Sequence, residues 1–165
     1  MKTALVLLAL FFPVAVRAQS YTWTVLAGLP PQQGSTDGSA TEARYTLPTS
    51  LVADPAGNLY VSDSTNYTIR KIAPDGSVTT LAGLAGATGS TDGTGAAARF
   101  GYPQGLAIDA SRNLYVVDRN SSTIRRISPA GVVTTLAGTA RLTGSTDGTG
   151  ADARFNNPWG IAAAP

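Results

Sequence analysis

The sequence predicts an all-β fold of stacked four-stranded blades, and three observations predict it. Motifs recur at a fixed step of 55 residues, each repeat contains four short runs rich in Val, Ile, Tyr and Thr, and turn residues part those runs at hairpin spacing. A chain of 165 residues that is 43% hydrophobic and only 13% charged is suited to a packed, turn-rich fold rather than to disorder.

The repeat is ungapped. Leu26-Ala27-Gly28 returns as Leu81-Ala82-Gly83 and as Leu136-Ala137-Gly138, and Gly34-Ser35-Thr36-Asp37-Gly38 returns at Gly89–Gly93 and Gly144–Gly148. Pro48, Pro103 and Pro158 keep the same interval, and residues 24–78 share 27 of 55 positions with residues 79–133. The units are therefore 24–78, 79–133 and an incomplete 134–165.

Before the first unit, Met1-Lys2 and the apolar run Thr3–Val16 lead to Val16-Arg17-Ala18, the layout of a cleavable export signal over residues 1–18. The run is too short to span a bilayer, which takes about 20 apolar residues. An exported chain is expected, periplasmic, cell-surface or extracellular, with no membrane span after cleavage. Removing the leader lowers the basic count from 12 to 10 against 10 acidic residues, so the mature chain of residues 19–165 is neutral. No cluster of Lys and Arg remains to neutralise phosphates, which argues against nucleic acid as a partner. With no Cys, stability rests on packing rather than disulfides.

Within each unit the expected strands are Leu51–Asp54, Asn58–Asp63, Thr68–Ile72 and Val78–Ala82, matched by Gly105–Asp109, Asn113–Asp118, Thr123–Ile127 and Val133–Ala137. Asp54-Pro55-Ala56-Gly57, Ser64–Tyr67 and Pro74-Asp75-Gly76 supply the turns, giving an antiparallel meander. In the second strand Leu114 and Val116 alternate with Tyr115 and Val117, so both faces are apolar and both need cover. Blades stacked around an axis provide it. A connector of about 20 residues, such as residues 84–102, joins successive meanders and reads as a recurring blade-to-blade clip.

Pro103-Gln104-Gly105-Leu106-Ala107-Ile108-Asp109, Asn113-Leu114-Tyr115-Val116-Val117-Asp118 and Ser122-Thr123-Ile124-Arg125-Arg126-Ile127 together resemble an NHL repeat. The Val-Thr-Thr-Leu-Ala-Gly segment and the Gly-Ser-Thr-Asp-Gly connector resemble the extended repeats of secreted bacterial members. The resemblance covers residues 24–165 and implies a β-propeller, commonly six-bladed, that serves as an interaction platform and in some relatives as an enzyme scaffold. Rings of four to eight blades would need roughly 220 to 440 residues at this repeat length. About 2.5 blades are present, so the chain reads as the N-terminal part of a longer product, with self-association as the alternative. Isolated, such an open stack is expected to unfold with poor cooperativity and to aggregate.

The chain has no His, which excludes His-liganded zinc and Ser-His-Asp triads built from these residues. Asp54, Asp63, Asp109 and Asp118 are hard enough for Ca²⁺, yet each recurs where a strand meets a turn, where Asp accepts backbone N–H bonds. They are read as structural, with no cofactor expected, and so are Arg70 and Arg125. Arg44, Arg99 and Arg154 are likewise read as tying a connector or strand to a neighbouring carboxylate. Ligand contacts are sought where units differ: Glu42, Tyr67, Arg119, Arg141 and Trp159, all in or beside predicted loops.

Two function classes follow. One is a binding scaffold that recognises a protein or a glycan through its loops. The other is a calcium-dependent lactonase-like, hydrolase-like or lyase-like propeller enzyme, whose site would draw on further blades.

Overall fold

The computed structural model describes residues 24–164, and the leader expected at residues 1–18 lies outside them. Two antiparallel sheets follow each other along the chain. The first blade is β1 (Pro48–Ala53), β2 (Leu59–Asp63), β3 (Thr68–Ile72) and β4 (Val78–Gly83), paired in chain order. The second blade adds a short outer strand, β5 (Gly93–Thr94), ahead of β6 (Pro103–Ile108), β7 (Leu114–Asp118), β8 (Thr123–Ile127) and β9 (Val132–Ala137); its order is β5-β9-β8-β7-β6. No α-helix occurs among the described residues, and no helix there is long and apolar enough to cross a membrane.

Each hairpin follows from its turn chemistry. Asp54 Oδ1 accepts the backbone N–H groups of Ala56 and Asn58 at 3.0 and 2.9 Å, while Asn58 Nδ2 and the Tyr60 hydroxyl donate to Oδ2 at 2.8 and 3.1 Å. Asp109, Asn113 and Tyr115 reproduce that turn in the second blade. Strands β2 and β3 are joined by a 3-10 turn over Ser64–Asn66 that ends on Tyr67 in the left-handed region. Ser122 takes the same conformation one repeat later.

Two strand starts differ from the sequence expectation by more than one residue. Strands β1 and β6 begin at Pro48 and Pro103, three and two residues before the predicted starts, each followed by a bulge. Proline reads as a breaker, but at the first position of a strand its missing N–H costs no ladder bond. Strand β5 was not foreseen, because Gly93-Thr94 carries no strand pattern; it pairs with Val133 and Val132 at the outer edge, as Gly38 bridges Val78 in the first blade.

The core lies in the seam between blades. Ile69 and Ala82 of the first blade pack with Leu106, Leu114, Val116, Ile127 and Val133 of the second, and Ala98 and Phe100 of the connector seal the outer end. Leu106 is 5% exposed, whereas Leu51, at the same repeat position on the open side of the first blade, is 54% exposed. Burial of these positions comes from the neighbouring blade, not from the sheet itself. Thr24–Gly28, the repeat equivalent of Thr79–Gly83, forms no strand, and Val25 and Leu26 line the same open face with Leu51, Val61 and Ile72.

Candidate functional site at the inner end of the blades

Recurring charged residues build the frame around the site. Arg70 is fully buried and donates to Asp37 of the connector at 2.7 Å, to the carbonyls of Thr36 and Arg44 at 2.8 Å, and to Asp63 at 3.4 Å. Its guanidinium lies 4.9 Å from the Tyr45 ring centroid. Arg125 repeats this arrangement with Asp92, Asp118 and Phe100, at 2.6, 3.6 and 5.3 Å. Asp37 and Asp92 also accept from the backbone and hydroxyl of Thr80 and Thr135, so each connector is pinned to the blade that follows it. Asp63 and Asp118 in turn hold the entry to the first strand, accepting from Thr46 and Leu47 and from Gly101 and Tyr102.

Burial raises the Asp118 carboxyl above its ordinary range, against the pull of those backbone N–H groups. Asp54 and Asp109 move the opposite way, lowered chiefly by the side chains of Asn58 and Asn113. Arg44, Arg99 and Arg154 differ from expectation. Their guanidinium groups turn back onto carbonyls of their own connector, at Glu42, Ala98 and Ala153 among others, and bond no carboxylate among the described residues. The short spacing to those carbonyls makes the local bond easier to close than a reach to another element. No group of three or more acidic side chains that could hold a metal occurs among the described residues.

The two seams differ at their inner ends, close to where the first strands begin. Between the blades, Ser62 and Ser64 donate to the carbonyls of Gln104 and Pro103 at 2.6 and 2.5 Å, and Ser50 accepts from the Leu106 N–H at 3.1 Å. One repeat later Val117 and Arg119 replace Ser62 and Ser64, and the contact to residues 159–161 has a different character. The Arg119 guanidinium lies 5.1 Å from the centroid of Trp159, whose side chain is 64% exposed. Gly105 permits this close passage, since a Cβ there would sit 2.5 Å from the Trp159 carbonyl oxygen. Thr49, Ser50, Gln104, Gly105, Trp159 and Ile161 line the resulting cleft.

Residues 100–127 match the model of the NHL repeat. The second blade carries an NHL repeat. The chain is 35% identical over 117 residues to NHL repeat-containing protein 2 of Homo sapiens, an alignment covering 66% of this chain and 16% of that one. Among solved structures, it is similar to a Bacteroides thetaiotaomicron protein of unknown function, with 32% identity and a TM-score of 0.65 over 70% of this chain and 30% of that one. An auxiliary nutrient binding protein of the same organism matches with 27% identity and a TM-score of 0.62, covering 68% and 31% of the two chains. The NHL-repeat chain thus spans about a sixth of the human relative and under a third of each solved one.

Of the five residues singled out as ligand contacts, the NHL-repeat fold brings Arg119 and Trp159 together. Arg141 reaches the same turn only through its backbone, donating to the Ser121 carbonyl at 2.9 Å. Glu42 closes on Ser39 in the first connector, accepting from its backbone and hydroxyl at 3.1 and 2.8 Å, and Tyr67 ends the first blade's own turn. Sequence reasoning missed Gln104 as a site residue, although position 49/104/159 carries Thr, Gln and Trp in three otherwise similar units. It also missed Asp37 and Asp92, whose fixed spacing of 33 residues to Arg70 and Arg125 was the available signal.

Proposed function

We propose that the protein is an exported, non-enzymatic binding scaffold that engages its ligand through the end of the blades where the connectors enter. The observation that carries this reading is the distribution of differences. Charged residues that serve the blade recur in both units, whereas Gln104, Arg119 and Trp159 have no counterpart of the same type in the first unit, yet converge in space. Binding residues on loops held by a rigid frame are the common arrangement for recognition. A structural neighbour described as an auxiliary nutrient binding protein supports a binding role. In this reading Asp54, Asp63, Asp109 and Asp118 remain structural, and no cofactor is required.

The test is a thermal-shift panel of soluble saccharides, peptides and nutrient-like small molecules on the full chain. The reading holds if a ligand raises the unfolding midpoint and is recovered chemically unchanged after prolonged incubation. Conversion of that ligand into a product would replace the scaffold with the enzyme reading.

A further inference from the structure

The buried polar atoms without a partner fall into two groups. Thr68 and Thr123 Oγ1 recur as a pair, as do Arg70 and Arg125 Nε, so they belong to the blade design. Tyr45 carries an orphan hydroxyl where the second blade has Phe100. The remaining two do not recur: Gln104 Oε1, on a side chain 5% exposed, and Arg119 Nε. Both stand beside the same aromatic ring, Gln104 as a co-lining residue of the cleft and Arg119 by stacking. A buried donor or acceptor left without a partner costs about 1–3 kcal/mol, so one on the cleft wall and one on the residue stacked on its indole mark a position that a ligand would complete.

Resting on the binding reading above, we propose that this cleft is a saccharide-binding site. The chemistry is complementary on three counts. The exposed indole offers an apolar face to the C–H side of a pyranose ring. Sugar hydroxyls both donate, as Gln104 Oε1 requires, and accept, as Arg119 Nε–H requires. The hydroxyls of Thr49 and Ser50 on the cleft wall are already engaged by Ser62, Ser64 and the Leu106 N–H, and no carboxylate pairs with Arg119 among the described residues, so its guanidinium stays available. The repeat frame holds the backbone of the site: the Arg119 backbone N–H donates to the Tyr102 carbonyl at 3.0 Å, and the Tyr102 N–H donates to Asp118.

The experiment uses the full chain with Trp23→Phe, which leaves Trp159 as its one indole. Its fluorescence is titrated with neutral hexasaccharides of glucose, xylose, mannose and galactose, and binding is checked by calorimetry. At least one is expected to quench or blue-shift Trp159. Replacing each contact by its first-blade equivalent, Gln104→Thr and Arg119→Ser, is expected to weaken that binding at least tenfold, with an unchanged β-sheet spectrum and unfolding midpoint. In the chain with both native tryptophans, Trp159→Thr is expected to abolish the calorimetric signal. Arg119→Lys, which keeps the charge but loses Nε–H, is expected to weaken binding nearly as much as Arg119→Ser. Binding that survives Trp159→Thr would overturn this site and leave the scaffold reading standing. A panel in which no saccharide binds while a peptide does would overturn the saccharide class alone.

Discussion

The first blade meets the second through a ladder of hydroxyls, and the second meets the segment after it through a guanidinium stacked on an indole. These two units carry the same arginine between the same two aspartates, with an aromatic ring beside it. On either side of the inner aspartate Ser62 and Ser64 give way to Val117 and Arg119, yet the strand register is retained. The frame and the variable positions therefore lie side by side, Asp63 between Ser62 and Ser64 and Asp118 between Val117 and Arg119. Chemistry at the inner end can be rewritten without disturbing the bonds that set the fold.

The largest effect that would break this comparison is expected at these ion pairs. Arg125→Met leaves Asp118 buried without its countercharge and is expected to cost about 3–5 kcal/mol. Arg70→Met is expected to cost nearly as much because its environment is the same, and urea unfolding of both variants checks the equivalence. A tolerant Arg70→Met beside a severe Arg125→Met would show that only the second frame is structural.

The next contrast is between the covered and open faces. Leu106→Ala is expected to lose about 2–5 kcal/mol, the range for a buried leucine, while Leu51→Ala loses less than about 1 kcal/mol. Hydrogen exchange on β6 and β1 sharpens the same point: amides of β6 are expected to be protected well beyond those of β1. Equal losses for the two leucines would mean that the open face is covered in solution.

The smallest effect is in acid. Asp54 and Asp109 have lowered values in the fold, so the stability they add is complete above the ordinary aspartate range, near pH 4, and drains away as pH falls through their folded values. Asp118 works the other way: its raised value means the folded form takes up a proton first, and this opposes acid unfolding while stability falls as pH rises through that window. Asp109→Asn is expected to flatten the decline of the unfolding midpoint below about pH 4. A decline as steep as in the unsubstituted chain would assign acid sensitivity to other carboxylates.

The blade itself was legible because its information is local. Alternation in Leu114–Asp118 and the Asp-to-Asn turns at 54–58 and 109–113 place β2, β3, β7 and β8 within a residue. The seam was legible in principle, since Val116 and Val117 are apolar on opposite faces and both are fully buried. What escaped were contacts set by tertiary geometry alone. Nothing in Gly93-Thr94 announces a strand, and nothing in Gln104 announces a buried side chain with an orphan oxygen; both depend on what the neighbouring element leaves unfilled. Arg99 was misjudged for a related reason, because recurrence says that a residue serves the repeat without saying which atoms it serves.

The 33-residue interval from Asp37 to Arg70, and from Asp92 to Arg125, also constrains how such genes can be shuffled. A recombination event between the Leu-Ala-Gly and the Gly-Ser-Thr-Asp-Gly of a repeat carries the carboxylate and its guanidinium into the recipient together. A crossover between the two can part them whenever the donor repeat lacks either residue, leaving a buried cation with one counter-ion fewer. Duplication of whole units in this phase is therefore the path of least resistance, and the ungapped 55-residue step fits that history.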